Sequence, residues 1–161
     1  MRLALFAPDI PQNAGTLMRL CACWGLALDI IEPAGFALSD RAFRRAGMDY
    51  VEKGTLARHS DWAAFRARVP GRPVLVETDG LCPYTDFHFA RDDILVLGSE
   101  TEGLPPWLRE AVPDQVMIPM RPGLRSINVA LAGAIVLSEA LRQTQAFPPP
   151  PDSAHKREAG K

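Results

Sequence analysis

The chain has 161 residues, 47% of them hydrophobic and 23% charged, with a formal net charge of −1. That is enough chain for one domain with its own core, at a composition ordinary for a soluble globular protein, and the total charge excludes a uniformly basic nucleic-acid binder. Three cysteines, Cys21, Cys23 and Cys82, make neither a disulfide framework nor a zinc pattern, which favours a reducing, cytoplasmic setting.

The first strand is predicted over Arg2 to Ala7, ended by Pro8 and Pro11. Its apolar run is too short for the core of a secretory leader. Asn13 is a plausible N-cap for a helix running to Trp24, with Gly25 as its stop. "ALDIIEP" is a second strand. Ser39 caps a helix that carries Arg41, Arg44 and Arg45 on one face and ends at Gly47. That face reads as solvated, with phosphate binding as the minority alternative. "HSDWAAFRARVPG" is a helix capped by Ser60 or Asp61. "RPVLVETDG" and "DDILVLGSE" are strands whose unbroken apolar runs suit a sheet covered on both faces. "PPWLREAV" is a short helix and "DQVMIPM" the last strand. Ser126 then caps a long helix that is apolar or glycine all the way round from Val129 to Leu137, too short for a bilayer, which needs about 20 residues. The alternation predicts an α/β fold, one domain over 1–146 with a largely parallel sheet, and a disordered Pro-rich, charged tail over 147–161.

Ligands of open α/β sheets bind outside the carboxyl ends of the strands. Four such ends are unusual: "PDIPQNAG", "ETDG", "GSETEGLP" and "IPMRPGLRSIN". Gly98 and Gly103 have the spacing of a phosphate-binding loop, but Leu104 and Pro105 follow where Lys and Ser or Thr are required. No G-x-G-x-x-G follows a strand. Glu100 and Glu102, beside two glycines, read better as loop hydrogen-bond acceptors than as a glycosidase pair. His59 reads as structural; His88 and His155 suggest no catalytic set. Cys21 and Cys23, at i and i+2 of a helix, do not share a face. Trp24, Trp62 and Trp107 have no spacing of a base-stacking platform.

Three segments change the picture. "PDIPQNAGTLMRLC" (Pro8–Cys21), "LVLGSETEGLP" (Leu95–Pro105) and "IPMRPGLRSINVALAGAIVLSEAL" (Ile118–Leu141) together resemble the three motifs of the SPOUT class of RNA methyltransferases. The likeness is nearest to the minimal tRNA (cytidine/uridine) 2′-O-methyltransferases of the anticodon wobble position. "IIEPAGF" and "RRAGMDY" extend it over Arg2 to Arg142.

The resemblance implies S-adenosyl-L-methionine as methyl donor with S-adenosyl-L-homocysteine as product, no metal, tRNA as partner, a C-terminal trefoil knot and a cytoplasmic homodimer. It places the donor against the backbone of Val76, Glu77, Thr78, Gly80, Gly98, Ile118, Pro119 and Met120, with Leu124, Ser126 and Asn128 completing the pocket and Glu100 near the sulfonium or holding its loop. Asn13 and Arg19 match the first motif's asparagine and arginine, and with Ser126 and Asn128 they form the implied catalytic set. Arginine is a poor base, since its pKa exceeds about 12, so Arg19 is read as binding a phosphate and stabilising the developing alkoxide. Arg19, Arg41, Arg44, Arg45, Arg121 and Arg125 are the candidate RNA contacts. One position departs from the pattern: Glu102 stands where the family often has arginine. Alternatives are 2′-O-methylation of another RNA site, a non-catalytic RNA-binding relative, and a small-molecule-binding protein of flavodoxin type.

Overall fold

In chain order the elements are β1 (Arg2–Phe6), α1 (Pro11–Trp24), β2 (Ala27–Ile31), β3 (Leu56–His59), α2 (Trp62–Arg68), β4 (Pro73–Glu77), β5 (Cys82–Pro83), β6 (Ile94–Leu97), α3 (Pro106–Ala111), β7 (Gln115–Met117) and α4 (Val129–Thr144). The structure, a computed structural model, describes residues 1–37, 41, 43, 45 and 56–150. Among them the strands form one sheet in the order β3-β2-β1-β6-β4-β7-β5, and all these pairs are parallel.

The sheet is covered on both faces, as the unbroken apolar runs require. Leu3, Leu5, Leu95 and Leu97 pack with Leu17, Met18 and Cys21 of α1 and Val136, Leu137 and Leu141 of α4. The alternate residues Ala4, Ile94 and Val96 pack with Phe65 of α2 and Leu108 of α3. Each such buried aliphatic side chain contributes about 1.5–3 kcal/mol. Cys21 belongs to this packing; burial pushes its thiol up to about 12, so it stays protonated at neutral pH. The buried Asp29 carboxylate is compensated by Arg2, whose Nε and Nη2 donate at 2.8 and 3.1 Å, and by His59 Nε2 at 2.8 Å. His59 is thus structural.

The apolar character of α4 has a local cause. Ala130, Gly133, Val136, Leu137, Ala140 and Leu141 face inward. A Cβ on Gly133 would lie 3.0 Å from Leu17 Cδ2 and 3.5 Å from Leu97 Cδ1, so α4 crosses α1 and β6 closely. Its outer face is also apolar: Leu131 is exposed and Ala134 and Ile135 are half-buried.

Several boundaries differ from the sequence reading. Helix α1 begins at Pro11 with Ile10 as cap, not Asn13; proline needs no amide partner in the first turn. Asn128, not Ser126, caps α4. Strands β3 and β5 were not anticipated. Arg41 and Arg45 are helical and exposed and Phe43 is buried. Ser39, Arg44, Gly47 and the tail from 151 lie outside the described residues.

The β4–β5 connection shapes one end of the sheet. Val76 of β4 and Cys82 of β5 both pair with Val116 of β7, on its opposite sides. The intervening chain must therefore step across two strand spacings, about 10 Å. It does so over the Val116–Met117 peptide. A Cβ on Gly80 would sit 2.5 Å from Val116 C and O, so only glycine fits there. The β4–β5 loop thus crosses the end of β7, a strand that comes later in the chain.

Candidate active site

A cleft of about 500 Å³ opens at the carboxyl ends of β4, β6 and β7, where an open α/β sheet places its ligands. Val76, Leu97, Ile118, Met120, Val129 and Ala132 supply apolar wall, and Glu77, Ser99, Glu100, Arg109, Ser126 and Asn128 supply polar groups.

The loop after β6 is a tight hairpin. Ser99 N donates to Gly103 O at 3.2 Å, Gly103 N to Ser99 O at 3.0 Å, and Glu102 N to Ser99 Oγ at 3.0 Å. Gly103 has φ +71°, a left-handed conformation that side chains disfavour. A Cβ on Gly98 would lie 2.3 Å from the Gly103 carbonyl carbon. The two glycines set the hairpin's shape.

Glu100 ties this hairpin to α1. Its Oε2 accepts from Asp9 N at 2.8 Å and Ile10 N at 3.3 Å, and its Oε1 accepts from Asn13 Nδ2 at 2.8 Å. The Ile10 side chain offers no cap, so a carboxylate from another loop occupies the positive end of α1. Asn13 Oδ1 accepts in turn from Asn128 Nδ2 at 3.0 Å. Asn128 Oδ1 then accepts from Ala130 N at 2.9 Å and Leu131 N at 3.3 Å. One chain of hydrogen bonds joins the three sequence segments. An Asn128→Ala variant should therefore lose about 1–2 kcal/mol of stability through the missing cap, read by urea unfolding, and should loosen the cleft.

At the opposite wall, Arg109 Nη2 donates to Asp79 Oδ1 at 2.7 Å, while its Nε stands 3.9 Å from Glu77 Oε1. That second distance is an ion contact but no hydrogen bond. Burial pushes the Glu77 carboxyl up from the usual range, against the pull of Arg109.

The sequence profile of the SpoU rRNA Methylase family matches residues 1–138. The chain belongs to this family. As a SpoU methylase it is 54% identical over 148 residues to the tRNA (cytidine(34)-2'-O)-methyltransferase of Beijerinckia indica, covering 90% of this chain and 92% of that protein. It is 41% identical over 146 residues to the enzyme of the same name from Escherichia coli K12, covering 89% and 93%. A solved structure described as "Structural insights into the 2-OH methylation of C/U34 on tRNA" superposes with TM-score 0.85 at 36% identity, over 88% of this chain and 94% of that one. The SpoU methyltransferase AviRb from Streptomyces viridochromogenes, solved in complex with AdoMet, gives 0.78 at 26% identity, over 89% of this chain and 60% of that one.

Of the residues singled out in the sequence, Asn13, Val76, Glu77, Thr78, Gly98, Glu100, Ile118, Met120, Arg125, Ser126 and Asn128 line the cleft of this SpoU methylase. Gly80, Pro119 and Leu124 do not: Gly80 packs on β7, and Pro119 and Leu124 are exposed. Arg19 lies on the outer face of α1 and, like Arg41, Arg45 and Arg121, is exposed and outside the cleft. The sequence reading missed Arg109, which lies in no motif, and passed over Asp79 and Ile10 inside the quoted "ETDG" and "PDIPQNAG". Among the described residues no group of three His, Cys, Asp or Glu is placed to hold a metal ion, and no helix is long and apolar enough to cross a membrane.

Proposed function

We propose that this SpoU methylase transfers a methyl group from S-adenosyl-L-methionine to the ribose 2′-hydroxyl of the wobble nucleotide, cytidine or uridine, in a tRNA anticodon. The observation that carries the reading is identity of 54% across 90% of the chain to a relative named for that reaction.

The cleft suits the donor. Its volume falls in the range of small-molecule sites, about 300–1,000 Å³. Apolar side chains from the ends of β4, β6 and β7 can sandwich a flat ring, and backbone at Gly98 and Ile118 to Met120 can read its edge. Bound there, the donor would supply an electrophilic methyl carbon to the ribose 2′-oxygen, its sulfur would keep the electron pair of the broken bond as the thioether product, and the hydroxyl proton would pass to water. What this chain must add is position and charge. Arg19, permanently cationic, is suited to holding the adjacent phosphate and the developing alkoxide, and unsuited to taking the proton.

Arg19 stands on the outer face of α1, about 9 Å along the helix from Asn13 at 1.5 Å per residue. Its role at the reacting oxygen therefore calls for a second protomer. The apolar outer face of α4 supports a two-fold pairing of copies, in which Arg19, Arg41, Arg45, Arg121 and Arg125 of two chains would share a groove that a net charge of −1 conceals. The close crossing of the β4–β5 loop and β7 at Gly80 supports a trefoil knot at this end of the sheet. A tRNA substrate supports a cytoplasmic location. Sedimentation at micromolar concentration should show a dimer; a stable monomer would overturn the pairing.

The assay for the function uses purified protein with methyl-labelled donor. Unmodified tRNA should become labelled and ribosomal RNA should not. Label in ribosomal RNA alone would leave a methyltransferase with a different substrate.

A further inference from the structure

Among the described residues, one residue lining the cleft has a buried side-chain polar atom without a hydrogen-bond partner. Glu77 ends β4 with its side chain only 10% exposed. Its Oε1 is buried without a hydrogen-bond partner among the described residues. The nearest cation, Arg109, is committed to Asp79 at 2.7 Å and stands 3.9 Å from Glu77 Oε1. The backbone amides of Thr78 and Leu104 favour the charged carboxylate, whereas burial, the larger effect, disfavours it. A buried acceptor without a donor costs about 1–3 kcal/mol. The other such atom, His59 Nδ1, lies in the core beside Phe65, outside the cleft.

The position of Glu77 narrows what could complete it. Two residues beyond Leu75 on β4, Glu77 stands on the sheet face of Leu104 and Arg109, at a strand end where the cleft wall also includes Val76, Leu97 and Ile118, a surface that can take a flat ring and its sugar. We propose that the side chain of Glu77, beyond any backbone contact, binds the methyl donor: its free oxygen accepts a hydrogen bond from the adenosine part, either a ribose hydroxyl or the adenine amine. This inference rests on the reading of the cleft as an S-adenosylmethionine site. The free enzyme then holds an unpaired acceptor that the ligand pairs, so that ligands without the matching donor are rejected.

The test measures S-adenosylhomocysteine binding by calorimetry and melting of the ligand-free protein, for wild type, Glu77→Leu and Glu77→Gln. Glu77→Leu should lose at least about tenfold in affinity, since a paired hydrogen bond disappears, while its ligand-free Tm is unchanged or higher because a buried unpaired carboxylate is gone. Glu77→Gln retains an acceptor oxygen and should keep most of the affinity. Analogues lacking the amine (S-inosylhomocysteine) or one ribose hydroxyl (the 2′-deoxy and 3′-deoxy forms) identify the donor: the relevant one should bind wild type weakly and suffer no added penalty in Glu77→Leu. Should Glu77→Leu fail to fold, Glu77→Met takes its place, and the analogue series on wild type still decides. Unchanged affinity in the apolar variant, a matching fall in Tm and affinity in both variants, or wild-type binding indifferent to every analogue overturns the proposal. Wild type that binds no S-adenosylhomocysteine overturns the reading of the cleft itself.

Discussion

Replacing Arg19 by alanine is expected to lower turnover on tRNA by about 10²–10³-fold, the usual effect of removing one group that stabilises a developing anion. Donor affinity should stay unchanged. The two expectations come from one fact: Arg19 is exposed on α1 and does not line its own cleft. A group that touched the donor would alter both, and a group that served only the fold would lower the melting temperature, which an exposed side chain without an ion-pair or hydrogen-bond partner among the described residues has no reason to do. Single-turnover methylation beside calorimetry with S-adenosylhomocysteine separates these cases. If the alanine enzyme keeps full activity, the role given to Arg19 is wrong. Binding of tRNA should also weaken steeply with salt, as phosphate contacts do.

Gly98→Ala should abolish donor binding. The added methyl would begin 2.3 Å from the Gly103 carbonyl carbon, 2.5 Å from Leu104 N and 2.6 Å from Gly103 O. All three are backbone atoms, so no side-chain rotation relieves the contact, and the hairpin from Ser99 to Gly103 must open. Overpacking of this kind costs about 1–3 kcal/mol even where neighbours can adjust. The loop would carry Glu100 with it and break the link to Asp9, Ile10 and Asn13. The measurement is calorimetry with S-adenosylhomocysteine on protein whose circular dichroism remains that of a folded α/β domain. Wild-type affinity in that variant would show that the hairpin does not shape the site.

These two residues also mark how far the sequence could be read. Features set by local chemistry were legible. Gly25 takes the left-handed conformation of a helix stop with φ +67°, and Asp61 accepts from Ala64 N at 2.7 Å, one of the two caps anticipated for α2. The unbroken apolar run of β6 is buried at every residue. Features set by distant partners were not legible. Strand β5 is two residues, Cys82 and Pro83, given strand geometry by pairing with β7 from over thirty residues later in the chain. Strand β3, "LARH", lacks alternation and exists through its pairing with β2. Asn13 and Ser126 looked like helix caps by type and place. Asn13 instead spends its amide across the cleft, and Asn128, two residues beyond Ser126, does the capping. Glu77 could be placed at a strand end, but nothing in the sequence tells that one of its oxygens is buried without a partner.

The position of the methyl group on the RNA can be read from the product itself. Unmodified tRNA treated with the enzyme and S-adenosylmethionine is digested with nucleases, and the methylated fragment is identified by mass spectrometry. A single 2′-O-methyl ribose at the wobble nucleotide of the anticodon is the result predicted. Methylation on a base, at any other nucleotide of the tRNA, or in ribosomal RNA alone would contradict it.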